Sequence, residues 1–466
     1  MTERELLRLT ADYAAGFLET LDSRPINERA DAAELRALLG GELADEPTDP
    51  AAMLAELARA GEEGSIVMPS GRYFGFVIGG ALPAALAADW LTSAWDQNAG
   101  LYVGGPAAAI VEEVAGAWLL DLLRLPEDAS FAFVTGCQMA HVTCLAAARH
   151  AVLERFGWDV ERRGLAGAPP LRVIAGEERH VTVDRALRFL GIGTDAVVPV
   201  AVDEQGALLP EALRSALASL ETGPTIVCAQ VGNVNTGAID PLGPVADAAE
   251  EAGAWLHVDG AFGLWAAASP QLAHLVEGTE RADSWATDAH KWLNVPYDSG
   301  LAFCAHPDAH RAALAVRASY LIHADEDGPR DQVDWTPEFS RRARGFAVYA
   351  ALRSLGRAGV AELVDRCCAH ARAFAGVLGE AEGVDVLNDV VLNQVLVRFG
   401  DDDDLTRAVV DGVQRDGTCW LSGTTWRGRA AMRISVSNWR TTAEDVERSA
   451  EAILSAAARA AGLVRP

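Results

Sequence analysis

The sequence predicts an α/β fold: a seven-stranded, mostly parallel sheet with helices on both faces, an N-terminal helical segment and a small α+β C-terminal domain. Three observations carry this reading. Short apolar runs recur at 131–135, 171–175, 196–202, 225–231, 255–258, 284–287 and 300–305, with helical stretches between most of them. The runs are apolar on both faces, as strands sandwiched between two helical layers must be. The last run follows its predecessor with no room for a helix, so one strand is expected to be antiparallel.

Residues 1–68 read as helices and turns. Leu6, Leu9, Tyr13 and Phe17 share one helical face with charges between them, unlike the unbroken apolar core of an export signal. Segments such as 51–60 have too little apolar surface to stand alone and are expected to lie on another subunit or domain. The stretch 70–91 leads through aromatics and glycines into a helix carrying Asp89 and Trp90, for which packing is the expected role. A long amphipathic helix is predicted over 105–125, and the large domain runs over 69–345. Beyond it the texture changes to helices over 346–355 and 360–378, strands over 394–399 and 431–436, and a closing helix over 443–460. These form the small domain, 346–466. The four aspartates at 401–404 read as a solvated loop rather than a metal site, because adjacent carboxylates repel and point apart.

At 466 residues, half of them hydrophobic, the chain can build a large core. A formal charge of −27 disfavours nucleic acid and anionic membranes as partners. The seven cysteines, at 137, 144, 228, 304, 367, 368 and 419, lack paired zinc-ligand spacing and are odd in number. Reduced thiols in a cytoplasmic setting are expected. The apolar stretch 79–91 is broken by Pro83 and Asp89 and is too short to span a bilayer.

Lys291 is the only lysine in the chain. It stands just past the predicted strand at 284–287, where α/β sheets open into a ligand crevice. Arginine serves every other basic need, and arginine cannot give up a proton to attack a carbonyl, whereas an amine can. Asp259 follows the strand at 255–258 and reaches the same crevice. Thr135, Gly136, Cys137, Gln138, Met139 and Ala140 follow the first strand and open a helix, an arrangement whose N–H groups favour phosphate. His180 ends the second strand region before another helix.

The run Asp288, Ala289, His290, Lys291, Trp292 resembles the cofactor-lysine motif of the group II pyridoxal-phosphate-dependent amino acid decarboxylases, which have the aspartate aminotransferase fold, fold type I. The resemblance extends from about residue 70 to the C-terminus. It implies pyridoxal 5′-phosphate as cofactor, with Lys291 as the amine that holds it. Asp259 stands 32 residues earlier in His257, Val258, Asp259, Gly260, Ala261, which matches the family's pattern for the carboxylate facing the pyridine nitrogen and places Ala261 at the cofactor.

By the same resemblance His180 stacks on the cofactor ring, Asp288 assists the phosphate and His290 holds the lysine. Gly136, Cys137 and Gln138 take the phosphate turn, where the family usually carries Gly or Ser with Ser or Thr. Asn235 lies in a loop near the ring oxygen, in 230–240, where Asn233 and Asn235 replace threonines. The polar segment 317–335 is expected to be a lid or disordered, and its Tyr320 matches a tyrosine thought to return a proton after CO2 leaves, on a loop that covers the neighbouring subunit's site. Arg433 is a candidate for a carboxylate or interface contact. Where aromatic amino acid decarboxylases carry Tyr, Phe, Pro and Thr, this chain has Phe76, Val77, Ile78 and Gly79.

The implied activity is α-decarboxylation of an L-amino acid by a homodimer with shared active sites. An oxygen-consuming aldehyde synthase, another lyase or aldolase, and a non-enzymatic protein on the same fold are the alternatives.

Overall fold

The computed structural model describes residues 1–324 and 328–462. By its internal contacts the chain divides into two compact units, one comprising Ala81–Arg372 with Leu387–Val395, the other Met1–Gly80, Ala373–Val386 and Leu396–Pro466. The division differs from the three consecutive segments expected from sequence. The N-terminal helices share a unit with the C-terminal segment, and the helix that starts at Gly345 stays with the large unit through Arg372.

The large unit is built on seven strands: β1 (Ser130–Val134), β2 (Arg172–Gly176), β3 (Val197–Val200), β4 (Thr225–Gln230), β5 (Trp255–Asp259), β6 (Ser284–Asp288) and β7 (Gly300–Cys304). Their order is β1-β7-β6-β5-β4-β2-β3. β7 is antiparallel to both β6 and β1, and the other pairs are parallel. The short link between β6 and β7 forces this, since a parallel return would need a crossover helix. Every residue of β4, β5, β6 and β7 is buried, which explains why these runs are apolar throughout instead of alternating.

Helix Cys137–Glu154 covers one face. Its Val142, Leu145, Ala148 and Val152 join Val173, Ala175, Ile226 and Trp255 in one buried cluster.

Arg341 ties the sheet to its flanking elements. Its guanidinium is fully buried, pairs with Glu112 at 2.7 Å, and donates to the Ala99 carbonyl at 2.8 Å and the Phe133 carbonyl at 2.5 Å. Removing one partner of such a pair strands the other charge away from water. Arg341→Leu is therefore expected to lose about 3–5 kcal/mol of folding stability in a denaturant titration.

The segment expected to be a lid is fixed at both ends. Arg317 pairs with Asp334 at 2.5 Å, and Arg330 lies 4.2 Å over the rings of both Phe131 and Trp335. Residues 325–327 lie outside the described residues. The predicted helices at 346–355 and 360–378 form one element, Gly345–Gly379, interrupted at Gly356, whose φ of 60° is a conformation suited to glycine.

In the other unit the sheet order is β10-β11-β9-β8, with β8 (Val384–Val386), β9 (Gln394–Phe399), β10 (Ser422–Trp426) and β11 (Arg429–Ser435). β10, sequence SGTTW, was hidden by its glycine and its polar threonines, and β8 is only three residues long. The aspartate run expected to be a loop instead starts helix Asp403–Asp416. Asp402 caps it by accepting from the Asp404 N–H, and Asp403 and Asp404 stand in its first turn, where carboxylates complement the helix dipole.

Candidate active site

β5 and β6 are parallel neighbours, with Asp259 opposite Ala286, and each ends on an aspartate. Their backbones are joined beyond the strands: the Asp288 N–H donates to the Ala261 carbonyl at 3.0 Å, and the Ala261 N–H donates to Asp259 Oδ1 at 3.2 Å. The two carboxylates are thus held side by side at the carboxyl edge of the sheet. This is the edge where open α/β sheets present their ligands.

Asp288 is the hub of one half. Its Oδ2 lies 2.9 Å from Lys291 Nζ, and its Oδ1 accepts the Cys137 N–H at 2.6 Å. It therefore holds the lysine and the first turn of helix Cys137–Glu154 together. Burial alone would lower the Lys291 pKa, but Asp288, by charge and hydrogen bond, and Asp259 outweigh it and push the amine up to about 12. The lysine stands in the site as an ammonium.

His290 accepts the Ser299 N–H at Nδ1, 3.1 Å away, so its proton sits on Nε2, which faces Asp288 Oδ1 at 3.4 Å. Burial lowers its pKa. A Cβ added at Gly136 would meet the His290 ring at 3.2 Å. The backbone at Gly300 is tighter still, since a Cβ there would stand 2.3 Å from the Gly136 carbonyl carbon. Gly300→Ala is expected to displace the turn and weaken cofactor binding by about tenfold or more, roughly 1.4 kcal/mol, read by titrating the cofactor into apo-protein.

Asp259 is the hub of the other half and is 4 % exposed. Burial would raise its pKa, but the attraction of His141, 3.6 Å away, with that of His180 and Lys291, holds the carboxyl well below the usual carboxylate range. His180 caps helix Val181–Phe189, and its Nδ1 lies 2.7 Å from Thr182 Oγ1. With Asp259 it lines one crevice, together with Cys228, Gln230 and Asp240.

Gln138 donates from Nε2 to the Thr182 carbonyl at 3.3 Å, while its amide oxygen is buried without a hydrogen-bond partner among the described residues. Asn233 organises the loop after β4: its Oδ1 accepts the N–H groups of Asn235 at 2.9 Å and Thr236 at 3.3 Å. Tyr320 is 78 % exposed and is not part of this cluster in the protomer. Arg433 belongs to the other unit, where its Nε is buried without a partner among the described residues and burial lowers its pKa to about 10.

Three residues were missed from sequence. Tyr297 packs tilted against His290, with ring centroids 4.3 Å apart and planes 32° from parallel, and although the residue is 56 % exposed, desolvation of its phenol raises the pKa. His141 and His257 stand behind Asp259. The spacing of His141 one helical turn after Cys137 was the available signal.

An amine beside a carboxylate, a second ionised carboxylate at the next strand end, and a glycine-led helix start between them suit an aldehyde cofactor bearing a basic ring nitrogen and a phosphate. The fold and the site define a pyridoxal-phosphate enzyme of fold type I. The pyridoxal-dependent decarboxylase conserved domain matches residues 63–399, and the chain belongs to that family.

An aromatic-L-amino-acid decarboxylase from Bacillus atrophaeus is 26 % identical over 456 residues, covering 95 % of this chain and 93 % of that protein. An acidic amino acid decarboxylase from Homo sapiens is 30 % identical over 364 residues, covering 76 % and 68 %. The crystal structure of Oryza sativa TDC with PLP and tryptamine has a TM-score of 0.91 at 25 % identity, covering 98 % of this chain and 97 % of that one.

Proposed function

We propose that this protein removes the α-carboxylate of an L-amino acid to give the amine and CO2, with its site residues in the following roles. Pyridoxal phosphate, when bound, supplies an electron sink for the bond broken at the substrate's α-carbon. Lys291 is the amine that holds the cofactor and is exchanged for the substrate's. Asp288 orients the amine and anchors the Cys137 N–H. Asp259 presents its charge to the cofactor's ring nitrogen and Ala261 sets its orientation. His180 lies against the ring. The N-terminal turn at Gly136, Cys137 and Gln138 receives the phosphate, and Asn235 lies near the ring oxygen. His290 fixes the loop that carries the lysine.

The observation that carries this reading is the placement of the chain's single ε-amine 2.9 Å from Asp288, one strand away from an ionised Asp259.

Tyr320 is suited to work on a second copy of the chain, since it projects from its own protomer on an exposed stretch. A homodimer with shared sites is consistent with the apolar groove that Tyr13, Phe17, Leu54 and Leu57 leave between helices Glu3–Glu19 and Pro50–Gly64. A cytoplasmic setting fits seven cysteines that are all free and buried. No helix among the described residues is long and apolar enough to cross a membrane.

The test is a product assay across a panel of amino acids. Amine and CO2 in equal amounts support the proposal, whereas aldehyde, ammonia and hydrogen peroxide with oxygen uptake reject it in favour of an aldehyde synthase. Removing the Tyr320 hydroxyl takes away the proton donor. Tyr320→Phe is expected to cut amine formation by about 10²-fold or more and to raise the aldehyde fraction, read by product ratio.

A further inference from the structure

Behind Asp259 runs a buried chain of polar groups that the reaction does not require to be polar. His141 Nε2 is 3.6 Å from Asp259 Oδ2, His141 Nδ1 is 2.9 Å from His257 Nε2, and His257 Nδ1 is 3.0 Å from Ser284 Oγ. Ser284 Oγ accepts the Trp255 indole N–H at 2.9 Å. His141, His257, Ser284 and Trp255 are each 0 % exposed. Four polar side chains without access to water are costly unless each is paired.

The chain runs from an obligate donor to an obligate acceptor. An indole N–H only donates, and an ionised carboxylate only accepts. Ser284 therefore accepts from Trp255, and its hydroxyl faces His257 Nδ1. His257 Nε2 faces His141 Nδ1, and His141 directs its Nε2–H at Asp259. Each link carries one proton. The neutral form of His257 agrees with burial and the adjacent His141, which push its pKa down to about 3. Cys137 completes the end of the chain, with Sγ 3.5 Å from His141 Nε2 and 4.0 Å from Asp259 Oδ1. Burial keeps that thiol protonated.

We propose that His141 and His257 are positioning residues: the directed chain Trp255–Ser284–His257–His141 holds Asp259 as an acceptor-only carboxylate aimed at the cofactor's ring nitrogen. The inference rests on the pyridoxal reading of the site. It assigns the setting of Asp259 to the interior of the sheet instead of to solvent. Helix Cys137–Glu154 contributes one imidazole and β5 the other, so the orientation of Asp259 depends on how that helix seats on the sheet. Cys137, His141 and Asp259 also form a group whose ligand atoms lie within 4.8 Å of one another, and a soft divalent cation is the competing occupant.

The experiment compares wild type, His141→Leu, His141→Gln and His257→Leu, alone and in an Asp259→Asn background. The readouts are the pyridoxal phosphate dissociation constant of the apo-protein, the absorption band of the bound cofactor, the melting temperature and the metal content. His141→Leu is expected to weaken cofactor binding about 10–100-fold and to shift the band. His141→Gln, which restores a donor to Asp259, is expected to recover most of the loss. In the Asp259→Asn background His141→Leu should change little further.

An unchanged dissociation constant and band in a folded His141→Leu protein would overturn the proposal. So would an equal loss in the Asp259→Asn background, or a stoichiometric metal ion in the purified protein. Should His141→Leu fail to fold, His141→Gln and His257→Leu decide by the same two cofactor readouts. Should wild type bind no pyridoxal phosphate, the enzymatic reading falls on its own. The chain is then judged from apo-protein melting, where coupled effects of His141→Leu and Asp259→Asn uphold it and additive ones reject it.

Discussion

Replacing Lys291 with alanine is expected to give a folded protein that stays colourless with pyridoxal phosphate and loses decarboxylation by about 10⁴-fold or more, a loss of roughly 5.5 kcal/mol in transition-state stabilisation. No other side chain can substitute, because the chain contains no second lysine. The fold should survive. Asp288 keeps the Cys137 N–H at 2.6 Å and the His290 ring at 3.4 Å, so its charge is not abandoned. Absorbance, activity and melting temperature measured on one preparation check all three parts. Partial rescue by added alkylamine would show that the missing function is the amine itself. Retained colour and turnover would overturn the assignment.

The wild-type lysine carries a second expectation. With its pKa raised to about 12, the amine must shed a proton before it can bond to an aldehyde. The neutral fraction grows with pH, so cofactor loading into apo-protein should quicken from pH 7 to 9.

Asp259→Asn ranks next, with an expected fall in kcat/KM on the order of 10³-fold, because a neutral amide cannot balance a protonated ring nitrogen. Asp259 is held well below the usual carboxylate range by His141, His180 and Lys291 against the cost of burial. A carboxylate depressed in the folded state stabilises the fold above its unfolded pKa, and that contribution fades as pH falls through the folded value. Asp259 therefore stays ionised wherever the protein is folded near neutrality. The acid limb of the activity profile should report other groups and should not move when Asp259 is replaced by Asn. A substitution with only a few-fold effect on kcat/KM would place the ring nitrogen's partner elsewhere.

Much of this architecture was legible in the residues. The seven apolar runs became seven strands, each shifted by no more than a few residues, and the short 288–300 link foretold the antiparallel β7. Lys291, Asp259, Gly136 and Asp288 carry their message in sequence because each stands beside a strand end, where local pattern and ligand crevice coincide.

What stayed hidden depends on contacts between distant segments. His257 sits in a recognisable motif, but its partner His141 is 116 residues away on a helix, so no local pattern joins them. Tyr297 reads as a loop residue until its ring is seen against His290. The aspartates at 402–404 were misread because their repulsion was weighed without the helix N-terminus that offsets it. β10 gave no apolar run, and the regrouping of N- and C-terminal segments into one unit has no local signature at all.

The predominance of arginine gives the molecule an unusual chemical silence. Amine-directed reagents such as acylating agents, cross-linkers and ubiquitin-type conjugation meet only the terminal amine and one ε-amine, and the latter's side chain is just 20 % accessible behind Asp288. Covalent tagging through ε-amines therefore has no bystander position to modify. Any regulatory mark on a side chain that spares the pocket must use another functional group.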